Sequence, residues 1–468
     1  MTLQREKTGD VNFNLKIQEE GGSFITNPEG ATDLSDLCRA VEIIEGINNT
    51  AMRAHIVFED SAGLIHSLRG TEIWIMTFST ALSDAAYRFR AYAIESRARS
   101  GNTESFMVQC VSEEYLINET TNIFGSSTQL FDKKTTSKDI VETILGQYIY
   151  GGGLSKNFFV EDSQNDHKFL ACNWRAFDTI YWVANRSVRK TSSGTSPQNG
   201  FLFWENLMGF HFKSIDEMID KAEEQDYDTK SKQDKGNARL YRYVYEPKKT
   251  ESEESDEQKI ESIIFPDDRN YLKGLRNGCW AGFSQVFDPT KLNDSILSGE
   301  STNFLPPYQY QMNEMWNKMS HLSPGTNPAE SYTPNIKGLT ETPRRIKYEF
   351  APHHIFDAKG EKGSGKDGRN ESEDKTYGDL PFLQAYKYLR IESLKTVRLL
   401  VTVPGNFDLY SGYGVEISIP KTKPRKDKYE VDKKYSGRYI IGGLRHKYSE
   451  GSVYTEMLLY RDSLPDKP

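Results

Sequence analysis

The chain has 468 residues, with 59 basic and 67 acidic side chains, a net charge of −8 and a pI near 5.7. At roughly 150 residues per domain, this length suggests about three domains, and the acidic balance argues against a protein that wraps nucleic acid electrostatically. Apolar runs such as Leu399-Leu400-Val401 are far shorter than the ~18 residues of a membrane-spanning helix. The first ten residues also lack the apolar core of a signal peptide. We therefore expect a soluble protein without a membrane partner.

Composition favours sheets and argues against a metal centre. The 12% aromatic content, with 26 Tyr and 24 Phe, is typical of β-rich proteins. The four cysteines are widely spaced and lack the C-x-x-C pattern that holds a metal: Cys38, Cys110, Cys172 and Cys279. We expect these thiols to be reduced and mostly buried.

The first part of the chain has the pattern of an antiparallel β domain. From Val11 to Gln18 apolar and polar residues alternate, which predicts a strand with one buried face. Residues 87–96 and 105–112 flank the turn-rich stretch 97–102 and predict a hairpin. Further short strands are predicted at 41–44, 54–58 and 73–78. This spacing predicts a first β-barrel over 1–120.

The apolar period then changes, which predicts an α+β domain over 121–236. A helix is expected after the capping sequence Thr136-x-x-Asp139, and a second after Asn173 that runs as far as Val188. Ser214-x-x-Glu217 is a capping box that opens a third helix. Two aromatic strands precede it, at 201–204 and 210–212. We expect Trp174, Phe177, Phe203 and Phe210 to form the core of this domain.

The later part of the chain alternates between polar loops and strands. Residues 220–262 are dense in charge, and the stretch 248–261 within them predicts a mobile loop, because it offers few apolar groups to offset its ordering entropy. Residues 301–380 are rich in Pro, Gly, Asn and Ser and predict a loop-rich insertion. Strand patterns return at 397–403, 415–419, 438–447 and 454–460. We assign 237–300 and 381–468 to a second β-barrel.

Two hairpins of similar pattern relate the beginning of the chain to its end. The first runs from Phe89 through Gly101 to Glu113, and the second from Tyr439 through Gly451 to Arg461. Each has an aromatic-led strand, a Ser/Gly turn and a second strand, and each closes its β region. This shared pattern indicates two related barrels in one chain.

Motifs for catalysis and cofactor binding are weak throughout. Gly360-x-x-x-x-Gly365-Lys366 begins like a phosphate-binding loop, but Asp367 stands where a Ser/Thr hydroxyl would reach Mg²⁺. His353-His354-x-x-Asp357 lacks any supporting metal-ligand spacing. No G-x-S-x-G nucleophile elbow is present, and no pair of carboxylates is marked out for glycoside hydrolysis. We predict no catalytic, cofactor-binding or metal-binding residues, and no cofactor.

A basic hairpin is the one charged segment with a candidate binding role. Residues 421–438 hold eight Lys/Arg and three acidic residues, a net charge of +5. A solvated hairpin tip explains this charge, and so does docking to an acidic partner. In the docking interpretation the contacts come from Lys421, Lys423, Arg425 and Lys426.

Several stretches resemble the central hub subunit of contractile-tailed, T-even type bacteriophage baseplates. The main ones are Phe158–Phe169, Asn173–Ser187 and Gly200–Ile215, supported by Ser112–Glu119 and by the ending Arg461–Pro465. The resemblance covers most of 10–215 and 395–465 and is weakest over 245–390. The form expected at 173–177 is N-W-x-P-F, and Ala176 stands here in place of the proline.

The resemblance implies a structural protein rather than an enzyme. It implies a homotrimer in which the first and last domains are related barrels that alternate round a pseudo-sixfold ring. The implied partners are the cell-puncturing tail spike, the tail tube or its initiator, the tape-measure protein and baseplate wedge proteins. DNA would pass through the ring without tight binding. The implied location is the virion tail baseplate, assembled in the host bacterial cytoplasm.

Two other functions share some of these features. One is a spike-hub component of a bacterial contractile injection system, which would have the same fold; a fused needle would show β-helical repeats after residue 468. The other is a baseplate-associated cell-wall hydrolase. The β pattern near the end of the chain argues against it, because that pattern leaves no room for a self-contained lytic domain.

Overall fold

The computed structural model describes residues 9–123, 130–151, 156–171, 173–191, 196–228, 236–246, 257–266, 271–289, 304–323, 325–331, 334–350, 378–422 and 430–464. These residues form a mainly β protein with large antiparallel sheets, as expected. None of the helices in these ranges is long and apolar enough to cross a membrane. Cys172, the His353–Asp357 stretch and the Gly360–Lys366 stretch lie outside the described residues.

The first β region contains six antiparallel strands. They are β1 (Asn12–Gln18), β2 (Cys38–Gly46), β3 (Arg53–Asp60), β4 (Ile73–Ser79), β5 (Asp84–Ser100) and β6 (Thr103–Val111), paired in the order β1-β4-β5-β6-β3-β2. The alternation of β1 is confirmed, because Phe13, Leu15 and Ile17 are buried while their neighbours are not. The predicted turn is shorter than expected: β5 continues to Ser100, and Gly101, with a φ of +64°, opens the reversal.

The predicted C-terminal strands are confirmed, and they join the same sheet. The second β region contains β14 (Arg242–Val244), β15 (Ser262–Ile264), β19 (Val397–Pro404), β20 (Gly414–Ser418), β21 (Gly437–Ser449) and β22 (Ser452–Arg461). Because β21 pairs with β2, both β regions belong to one twelve-stranded sheet. Residues 248–256 of the predicted loop lie outside the described residues. Buried Tyr243 anchors β14 before that loop, and buried Ile260 anchors its described end before β15.

The middle of the chain forms the predicted α+β arrangement. Its elements are α1 (Glu113–Thr120), β7 (Asn122–Ile123), β8 (Leu130–Thr136), α2 (Ser137–Thr143), β9 (Asn157–Val160), β10 (Asp166–Leu170), β11 (Trp174–Arg175), α3 (Ala176–Ala184), β12 (Phe201–Asn206), β13 (Gly209–Ser214) and α4 (Ile215–Glu224). Both predicted caps are present: Asp139 N donates to Thr136 Oγ1 at 3.2 Å, and Glu217 N donates to Ser214 Oγ at 3.1 Å. A π-helical turn, Ile144–Ile149, continues α2. The second helix ends before Val188, which lies beyond α3.

A smaller unit stands between β15 and β19. It comprises α5 (Tyr271–Asn277), β16 (Ala281–Phe287), β17 (Tyr308–Gln311), α6 (Met312–Trp316), α7 (Pro334–Thr340), β18 (Ile346–Phe350) and α8 (Leu380–Leu394). The described part of 301–380 is therefore more regular than the expected loops, because Tyr310, Met312 and Met315 are buried against α8. Strand β16 falls in the range assigned to the second barrel, but it pairs with β17 and β18.

Candidate functional site

The strongest candidate features are three buried polar junctions that hold the parts of the chain together. At the first junction, the carboxylate of Glu45 on β2 accepts a hydrogen bond from the backbone N–H of Ser411 at 2.7 Å and from that of Leu207 at 3.3 Å. One side chain thus joins the first β region to the β12–β13 turn and to the loop before β20. Burial raises the pKa of Glu45 to about 7, although both hydrogen bonds oppose the rise.

The second junction joins the middle unit to the start of β3. The buried carboxylate of Glu205 on β12 accepts a hydrogen bond from the backbone N–H of Met52 at 2.9 Å. Lys156 donates both to Glu205 and to Glu114 on α1, the latter at 2.8 Å. Burial opposes the charge on Lys156, but the two carboxylates keep its pKa above the usual value. The pairing satisfies charges that would be costly to bury alone.

The third junction joins α4, α8 and the end of β22 through a fully buried arginine. Arg390 on α8 lies 3.3 Å from Asp216 on α4 and 3.2 Å from Asp462, which follows β22. Asp462 also contacts the ring of His321 at 2.9 Å, and the hydroxyl of Tyr386 donates to Asp216 at 2.8 Å. Two carboxylates share the charge of one guanidinium here: Arg390 donates a hydrogen bond to Asp462 and forms an ion pair with Asp216. The charge-assisted bond from Tyr386 to Asp216 completes the link between α4 and α8.

The four residues expected in the core of the middle unit lie in one aromatic cluster. Phe177, Phe203 and Phe210 are buried, with ring centroids 5.3 to 5.6 Å apart. Trp174 is partly exposed and packs at the edge of this cluster, 5.7 Å from the ring of Trp182. Offset and edge-to-face contacts at these distances stabilise the packing beyond simple burial.

Of the four candidate docking residues, the described part of the chain contains Lys421. Its side chain is half exposed, and its Nζ lies 2.9 Å from a carboxylate oxygen of Glu430 across the hairpin. Lys423, Arg425 and Lys426 lie outside the described residues. Docking through this hairpin remains a prediction.

An exposed arm formed by β5 and β6 is a second candidate surface, which sequence reasoning identified only as a hairpin. Strand β4 pairs with β5 only as far as Arg90, so the residues of β5 beyond it pair on one side, with β6. Tyr92 and Ile94 are exposed on this arm. An exposed, partly apolar strand edge is a ready template for pairing with another chain.

No group of three or more His, Cys, Asp or Glu side chains that could hold a metal ion occurs in the described ranges. Cys38, Cys110 and Cys279 are buried thiols, and burial raises the pKa of Cys38 to about 12. Thiols of this kind are poor nucleophiles at neutral pH, because the reactive form is the thiolate.

Sequence reasoning did not single out the junction residues, although three of the five acidic side chains at the junctions lie in the stretches that carry the family resemblance. Glu114 belongs to Ser112–Glu119, Glu205 to Gly200–Ile215 and Asp462 to Arg461–Pro465. Asn118, in the first stretch, accepts a hydrogen bond from the backbone N–H of Phe177 at 2.7 Å. That bond caps α3 where Ala176 stands in place of the expected proline. The sequence signal that could have indicated the junctions was the presence of acidic and amide residues within mainly apolar motifs.

Comparison with solved structures places this fold beside two tail proteins. A tail protein from Neisseria meningitidis MC58 has a TM-score of 0.48 and 10% sequence identity, over 96% of this chain and 97% of that one. The 43 kDa tail protein of prophage MuSo2 from Shewanella oneidensis has a TM-score of 0.49 and 7% identity, over 96% and 99%. Both matched chains are tail proteins.

A third match is the Francisella PdpA-VgrG complex, with a TM-score of 0.44 and 9% identity, over 99% of this chain and 54% of that one. No protein-family model and no curated protein sequence matches the chain.

Proposed function

We propose that this chain is a structural hub subunit of a contractile phage tail baseplate, forming a trimeric pseudo-sixfold ring that joins the tail tube to the cell-puncturing spike. One observation carries the proposal. The stretches that resemble hub proteins supply three of the five buried acidic side chains at the three junctions, Glu114, Glu205 and Asp462. A resemblance that includes such joints between units fits a protein whose task is to hold a shape.

The proposed pair of barrels is supported by bridges at the two ends of the sheet. Asp10, just before β1, bridges Ser452 at the start of β22, which links the first edge of the sheet back to the β21–β22 hairpin. In the second β region Val244 bridges Lys259, which links β14 to the chain entering β15. Each β region has its own apolar cluster, one around Leu15 and Phe58 and the other around Leu399 and Leu459.

The proposed trimer is supported by the exposed arm of β5 and β6. The free edge beyond Arg90, with Tyr92 and Ile94 exposed, would be covered by another copy in a closed ring. A cyclic assembly removes such edges, because every copy offers the same surface to its neighbour.

In this proposal the chain acts without catalysis. Its partners are the spike, the tube or its initiator, the tape-measure protein and the wedge proteins. Its location is the tail baseplate of a virion assembled in the bacterial cytoplasm, and DNA passes through the ring without being held.

The test is the mass and shape of the purified protein. We expect light scattering at micromolar concentration to give three times the chain mass of 53.5 kDa, and low-resolution imaging to show a threefold ring with a central hole. Ile94→Asp should shift the mass towards the monomer. Leu170→Asp changes another exposed aliphatic side chain on a strand. This control variant should leave the mass unchanged. A stable wild-type monomer, or clearing of bacterial cell wall by the pure protein in a zymogram, would contradict the proposal.

A further inference from the structure

A cleft of about 510 Å³ lies between the middle unit and the second β region. Its walls come from β9 and β13, which supply Phe159 and Lys213, from α4, which supplies Glu217 and Lys221, and from Tyr413 before β20. The volume is within the range of sites that bind small molecules or peptide side chains.

The cleft contains a lysine whose charge is not matched by the described residues. The ammonium of Lys213 lies 5.2 Å from the ring centroid of Tyr413 and 5.9 Å from that of Phe159. Among the residues that the structure describes, the side-chain ammonium of Lys213 forms neither a hydrogen bond nor an ion pair. Burial lowers its pKa to about 8, against the opposing effect of Glu217 and Glu161. A partly buried ammonium with ring contacts alone lacks an acceptor.

The acidic groups nearby are held by other cations. Arg189 binds Glu161 at 3.0 Å and Glu217 at 2.6 Å, and the Nζ of Lys221 lies 2.7 Å from Glu224. The carboxylates around the cleft therefore have ion-pair partners. Lys213 is within the electrostatic influence of Glu217 and Glu161, but it forms no ion pair with a carboxylate of the described residues.

The walls on either side of Lys213 are rigidly packed. The hydroxyl of Tyr413 donates to the backbone carbonyl of Gly236 at 3.0 Å. The ring of Phe159 stacks on His211 at 4.9 Å, and His211 stacks on the buried Trp204, also at 4.9 Å. A ligand entering between these rings would meet a preformed surface, so little ordering cost would oppose binding.

We propose that the cleft binds an acidic side chain of a partner protein, whose carboxylate pairs with the ammonium of Lys213 between the rings of Phe159 and Tyr413. The methylene groups of a glutamate would pack against the rings. The rest of the cleft has room for the neighbouring backbone. Because Glu161, Glu217 and Glu224 also line the cleft, the residues next to that glutamate should be neutral rather than acidic. This inference goes beyond the proposed function, since it assigns a binding site within one chain.

The test uses two blocked, fluorescein-labelled peptides, Gly-Ser-Glu-Ser-Gly and the same peptide with Gln for Glu, added to the full-length protein. We expect fluorescence polarisation to show that the Glu peptide binds at least about tenfold more tightly, because a charge-assisted hydrogen bond replaces a neutral contact. Lys213→Met should remove this preference and Lys213→Arg should keep most of it. Lys221→Met, at the rim but already paired with Glu224, is the matched control and should retain it.

A measurement on the wild-type chain makes the test independent of how the variants fold. After reductive methylation with ¹³C-formaldehyde, the NMR signal of Lys213, assigned through Lys213→Arg, should titrate at higher pH when the Glu peptide is bound. Equal binding of the two peptides, or equal losses in Lys213→Met and Lys221→Met, would overturn the proposal. Competition by acetate at the same concentration as the peptide would show a site for free carboxylates and would also overturn it. Asp234 precedes the cleft residue Gly236 in the sequence and lies outside the described residues. If the Glu peptide bound only to the variant Asp234→Asn, the occupant of the cleft would be this chain's own aspartate, and the proposal would be overturned.

Discussion

Burial raises the pKa of the Glu45 carboxyl group, so the ionisation of Glu45 links the stability of the fold to pH. Its pKa is about 7 in the folded protein and 4.5 in the reference state. Between these values rising pH ionises the unfolded chain first, so stability that is fully present below pH 4.5 is lost as pH rises through 7. The free energy of unfolding should fall by about 3 kcal/mol across this window.

Chemical denaturation at pH 5 and pH 8 measures this loss. Glu45→Gln should reduce the difference between the two pH values. Glu29→Gln, at an exposed carboxylate, serves as the control and should keep the wild-type difference. The same difference in Glu45→Gln would show that another group, such as Glu161 with its own pKa raised to about 7 by burial, carries the pH dependence.

At the third junction, removal of Arg390 takes away the cation that balances two buried carboxylates. Arg390→Met should lower the free energy of unfolding by about 3 to 5 kcal/mol, because Asp216 and Asp462 lose the guanidinium and keep only their other hydrogen bonds. Lys395→Met, which breaks the exposed pair with Glu392 just after α8, should cost at most about 1 kcal/mol. Urea denaturation of the two variants compares these losses, and similar values would argue against a structural role for the triad.

At the scale of elements, one glycine decides whether β13 can lie beside β9. Gly209 has a φ of +141°, and a Cβ added there would lie within 2.2 Å of the carbonyl oxygen of Asn157. Gly209→Ala should therefore cost about 3 kcal/mol or more through strain and overlap. Gly101→Ala shares the positive φ but meets open space, so about 1 kcal/mol is expected. Thermal unfolding of both variants gives the comparison; equal melting temperatures would mean that β9 and β13 separate easily.

Strands and helices were predicted correctly where apolar residues recur at a regular spacing along one buried face. The prediction failed where the buried residues include polar side chains and show no such spacing. Strand β1 and helix α4 have clear periods and were found. Helix α8 was not predicted: Leu380 fell in the loop-rich insertion and the rest of the helix in the second β-barrel. It has no single apolar face to detect, because its polar residues Arg390 and Ser393 are buried along with its leucines. Helix α1 was missed for a similar reason, since its polar residues Glu114 and Asn118 are the buried ones. The junctions could not be predicted, because each joins residues more than a hundred positions apart in the chain.

For the whole molecule, net charge governs how it meets DNA. A chain with a net charge of −8 repels the phosphate backbone, because its 67 acidic side chains outnumber the 59 basic ones that could bind phosphates. The purified protein should therefore show no tight binding of duplex DNA in a mobility-shift assay at physiological salt. The basic hairpin at 421–438 would then face another protein. Tight binding that disappears when Lys421, Lys423, Arg425 and Lys426 are changed to Glu would instead make that hairpin a DNA contact.

Strand β21 also has a mechanical consequence. One of its edges pairs with β20 over Gly437–Ile440 and then with β2 over Gly443–Ser449, while β22 covers the other edge. The two β regions are therefore placed end to end along one continuous backbone. Tension drawn along that line would be carried by covalent bonds of β21 between Ile440 and Gly443, whereas sliding either region away would have to shear a whole row of backbone hydrogen bonds at once.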